Sequence, residues 1–65
     1  MTEITVTGFV RDEGSLVLLS GLTDSEDEVT FAVEHRYAPD ILAAVEADEE
    51  PVVVDVPDYL IVGRS

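Results

Sequence analysis

Three groups of residues in this sequence can do chemistry. The first is His35-Arg36-Tyr37, where an imidazole stands beside a guanidinium. Such a pair can grip an anion or relay a proton. The plainer reading is preferred: Arg36 pairs with Glu34 or another nearby carboxylate and His35 stacks at the strand end, because in so acidic a chain every arginine has a carboxylate within reach. A histidine becomes a base only with a cleft and a partner around it. The second group is Asp24-Ser25-Glu26-Asp27-Glu28, whose carboxylates suit a hard cation. Its sixth position is Val29, where a calcium-binding EF-hand loop requires glycine. A solvated acidic loop with a diffuse cation cloud is expected, and no bound metal. The same holds for Glu46, Asp48, Glu49 and Glu50 near a helix end that disfavours negative charge. The third group is Arg11, Arg36 and Arg64, the only permanently charged cations. If they converged beside Phe9, Phe31 or Tyr59, bases could stack there. Three arginines make few phosphate contacts, so nucleic-acid binding is disfavoured.

No catalytic motif accompanies these groups. The sequence holds no GxSxG, P-loop, HExxH or glycine-rich dinucleotide fingerprint. Asp55 and Asp58 flank Pro57, and turn chemistry accounts for both. A chain of 65 residues is expected to lack a pocket of about 300 Å³, the usual lower bound for a ligand site. No catalytic residue, cofactor or metal site is therefore expected, and the chain does not read as an enzyme. His35, Arg36 and Tyr37, with Arg11 and Arg64, remain the candidate anion or partner patch.

The elements that position these residues follow from hydrophobic period. Tyr37 to Glu50 reads as the one helix. Pro39 suits its first turn and Asp40 its positive end. Ala38, Ile41, Leu42 and Val45 make one apolar stripe, and Pro51 stops it. Strands are expected over Thr2–Arg11, Ser15–Leu22, Val29–Glu34, Val52–Val56 and Tyr59–Val62. Gly8 marks a bulge or a close approach, and Gly14 serves the turn 12–15. Pro57-Asp58 is a turn, and residues 63–65 are expected to fray. The fold class is α+β in the order β-β-β-α-β-β, a curled antiparallel sheet with the helix on one face. The alternative is a minimal barrel of OB-like build, whose helix also sits between the third and fourth strands.

Charge is the dominant compositional signal. Fifteen carboxylates face three basic side chains, and the net charge is −12 with no lysine. A hydrophobic fraction of 46% excludes a disordered acidic tail. A folded core under so anionic a surface repels itself at low salt. At about 1 M salt the Debye length falls to roughly 3 Å and that repulsion fades. In composition the whole chain resembles the small acidic proteins of halophilic archaea, a resemblance that implies a salt-rich environment and no activity. Without cysteines, disulfides and thiolate metal sites are excluded. With neither a secretory-type leader nor an apolar run of about 18 residues, a cytoplasmic location away from membranes is expected.

These features point to a non-enzymatic interaction module, self-associating and adapted to high salt, whose protein partner the sequence does not name. The alternative is a small nucleic-acid-binding or regulatory protein with an OB-like barrel. Counting faces supports self-association. One helix covers one sheet face, taking Ile4, Val6, Leu16, Leu18, Val29, Phe31, Val33, Val52 and Val54. Phe9, Val17, Leu19, Val53, Leu60 and Val62 are then left outward. A second copy across a two-fold axis is expected to cover them.

Overall fold

The first strand owes its length to a β-branched run, Ile4-Thr5-Val6-Thr7, which favours extended backbone. The computed structural model describes residues 1–64. In it the chain runs β1 (Thr2–Asp12), β2 (Leu16–Thr23), β3 (Glu28–Glu34), α1 (Ala38–Ala47) and β4 (Val53–Val56), then a 3-10 turn (Asp58–Leu60) and β5 (Ile61–Arg64). The strands form one sheet in the order β4-β1-β2-β3-β5, with every pairing antiparallel. Gly14 takes φ +94° in the turn between β1 and β2, where its N–H is held by Asp12 Oδ1 at 2.7 Å.

The outer strands β4 and β5 are consecutive in the chain. In a flat sheet strands four places apart lie roughly 19 Å from one another. Only residues 57–60 join these two, and three of them are coiled into the 3-10 turn. The sheet must therefore curl until its edges approach. The fifth strand, expected over Tyr59–Val62, starts later and runs Ile61–Arg64, because 58–60 coil into the 3-10 turn. β4 pairs with β1 and β5 with β3. Gly63 and Arg64, expected to fray, stand opposite Thr30 and Val29. Ser65 of that expected fraying end lies outside the described residues.

The core is the concave side of this curl. Ile4, Val6, Val17, Leu19, Val29, Phe31 and Val56 are buried there with Ala38 of α1. Leu19 stands opposite Phe31, and both are fully inaccessible. This corrects the expected parity of β2, in which Leu16 and Leu18 were to share the face of Phe31. Leu16-Val17-Leu18-Leu19 is apolar at both parities, so period alone could not orient it. Its partners do: Val17 faces Val33, Leu19 faces Phe31 and Gly21 faces Val29. β1 changes register twice, between Val6 and Gly8 and between Phe9 and Arg11. Gly8 thus sits at a bulge as expected, while the close backbone approach occurs at Gly21.

The helix begins as expected and ends early. Pro39 and Asp40 occupy its first turn. Asp48 turns left-handed at φ 51° and gives its N–H to Val45 O, so 48–50 lie beyond the helix. Anions at the negative helix end gain nothing from further turns. Ile41, Leu42 and Val45 are half-buried against the core. The helix leans chiefly on β1.

Candidate functional site

The end of β3 brings the first candidate group together. His35 N–H donates to Ser15 O at 3.1 Å, tying this turn to the start of β2. His35 Nε2 lies 3.3 Å from Asp12 Oδ2, an exposed pair. A carboxylate can orient an imidazole in this way, but a general base also requires a cleft, and His35 lines neither of the two clefts described below. Arg36 Nε donates to Glu34 Oε2 at 3.1 Å, and its guanidinium lies 4.9 Å from the centre of the Tyr37 ring. The Arg36 pKa is held above its ordinary value, first by the hydrogen bond to Glu34 and then by that carboxylate's charge.

Arg11 pairs with Glu13 two residues on. Arg64 stands on β5, opposite Val29. The structure therefore engages Arg11 and Arg36 with separate carboxylates and places the three arginines apart along the chain, on β1, in the turn before α1 and on β5. The acidic loop is closed by its own backbone: Thr23 N–H donates to Asp27 O at 3.0 Å and Glu26 N–H to Thr23 O at 2.8 Å. Among the described residues no three carboxylate or imidazole groups converge on a metal position.

A different feature gathers Tyr37. A cleft of about 470 Å³ runs between the α1 start and the 3-10 turn. Leu16, Ala32, Val54 and Leu60 are among its apolar lining, and Glu34, Asp55, Tyr37 and Tyr59 supply its polar groups. A second cleft of about 340 Å³ lies between β1 and the segment after α1. Both exceed the size expected for so short a chain. A 3-10 turn that joins the two edge strands leaves open ground beside it, and residue count does not reveal that. Tyr37 is fixed through its backbone, donating to Glu34 O at 3.0 Å and accepting from Ile41 N–H at 3.2 Å. The Tyr59 turn is pinned by Leu60 N–H to Pro57 O at 2.9 Å and by Thr2 Oγ1 to Asp58 Oδ1 at 2.8 Å. Tyr37 and Tyr59 are 51% and 82% exposed. Sequence reading kept Tyr37 as a patch residue and named Tyr59 only as a stacking candidate. The available signal was Tyr59 directly after the Pro57-Asp58 turn.

The outward set named for a dimer is altered. Val17 and Leu19 are core residues, removed from it by the parity of β2. Leu60 is half-buried in the larger cleft. Phe9, Val53 and Val62 remain exposed, on three separate strands. No described helix is long and apolar enough to cross a membrane. No family model, curated protein or solved structure matched the chain.

Proposed function

We propose that this chain is a non-enzymatic interaction module, cytoplasmic and adapted to high salt, that docks another polypeptide in the Tyr37–Tyr59 cleft. The cleft itself carries the reading: two exposed rings on pinned backbones above an apolar floor. Fixed aromatic side chains give large contact area at low ordering cost, and they dominate many binding surfaces. The alternative reading, a nucleic-acid binder on an OB-like barrel, draws some support from the curl of the sheet. It is weakened by the engagement of Arg11 with Glu13 and Arg36 with Glu34. Phe31, one of its stacking candidates, is in the core.

Self-association belongs to the proposal only through Phe9, Val53 and Val62. Apolar residues scattered singly over a surface do not make a contact face. The docking reading therefore stands apart from the dimer. Affinity capture from native-salt extract tests it, comparing wild type with a Tyr37→Ala/Tyr59→Ala variant that still melts cooperatively. A partner held by wild type and lost by the variant supports the reading. Equal capture by both counts against it.

A further inference from the structure

We infer that the occupant of this cleft is an arginine-bearing segment of a partner protein, its guanidinium lying over Tyr59 and paired with Asp55. This rests on the docking reading above and adds the partner's chemistry. The side chains lining the cleft are apolar, tyrosine or carboxylate, and no basic group is among them. Its free polar capacity is that of an acceptor for a cation.

The chain holds its own example of such recognition. Beside one wall Arg36, itself outside the lining, lies over Tyr37 while it donates to Glu34, so cation, ring and carboxylate meet. On the other wall Tyr59 and Asp55 supply a ring and a carboxylate. Among the described residues, Asp55 has no ion-pair or side-chain hydrogen-bond partner. An incoming cation completes that second set. Arginine fits better than lysine, because a planar guanidinium stacks on a ring and pairs with a carboxylate at once. The −12 charge draws a basic segment in from a distance at low salt. In molar salt that attraction is screened, and ring stacking with apolar contact remains.

The test is an amide-resolved NMR titration of the whole chain. Two probes are used: acetyl-Gly-Leu-Arg-Leu-Gly-amide, and the same peptide with neutral citrulline in place of arginine. It is run at low salt and at about 1 M KCl, where the Debye length is roughly 3 Å. The arginine peptide is expected to move the signals of residues 34–37 and 55–60 at both salts. Citrulline and Tyr59→Ala should each weaken binding about fivefold to tenfold, the range of a partly desolvated cation–ring contact. Tyr59→Phe should retain it. Equal binding of the two peptides in the cleft overturns the cation inference and leaves docking intact. Arginine-peptide shifts centred on residues 24–28 or 46–50 reveal a counterion cloud and overturn the inference. No shift from either peptide overturns the inference and the docking reading together.

Discussion

Ile4 leaves no room for a side chain on Gly21. A Cβ there would overlap Ile4 Cγ2, come 2.6 Å from Thr5 O and press Phe31 Cε1 at 3.3 Å. β1 and β2 meet at this point through bare backbone, opposite both Val6 and Val29. Gly21→Ala is expected to destabilise the fold by about 1–3 kcal/mol, as overpacking of a filled core does. Gly63→Ala, with only Thr30 Cβ at 3.9 Å, should stay within about 0.5 kcal/mol. Urea unfolding of the two variants checks the contrast, and equal midpoints would refute it.

Phe31 is the largest of the fully buried side chains. Phe31→Ala should cost about 3–5 kcal/mol, the range for truncating a large core residue. A domain of this size has roughly that much stability in total, so the variant is expected to be unfolded by circular dichroism. Phe9→Ala, at an exposed position, should leave the melt nearly unchanged. A folded Phe31→Ala chain would show that the core lies elsewhere.

Leu19 and Val62 separate folding from self-association. Leu19→Glu puts a carboxylate into the core opposite Phe31 and should abolish the cooperative melt. Val62→Glu alters an exposed site and should melt like wild type. Light scattering at high salt then reads the dimer directly. A wild type of twice the chain mass that falls to monomer in Val62→Glu supports self-association. Monomer mass in the wild type removes it from the account.

Much of the fold was legible because each signal had one interpretation. Pro39 and Asp40 mark a helix start, and Gly14 a turn. Where two interpretations were open, three-dimensional partners decided. Leu16 to Leu19 is apolar on both faces, so only the pairing of Leu19 with Phe31 set its orientation. Pro57-Asp58 signalled a turn but not that the turn runs on through Tyr59 and Leu60 and joins the two edges of the sheet. The cleft lies beside that turn, so Tyr59 could be recognised only once β4 and β5 were placed.

Stability should rise with salt. The chain carries −12 without a lysine, and its pairs at Arg11 and Arg36 neutralise few of the carboxylates. Screening relieves the remaining repulsion. The melting temperature should climb as KCl rises from millimolar to molar. A midpoint insensitive to salt would contradict a salt-adapted surface.

The docking claim is tested most directly by a photo-reactive phenylalanine derivative placed at position 59. The same group at position 24, in the acidic loop, is the control. Both chains are illuminated in cells at their own ionic strength. The account predicts a discrete adduct from position 59, lost when Tyr37→Ala is added, and none from position 24. No adduct from position 59, or the same adduct from both positions, would contradict the cleft as the contact surface.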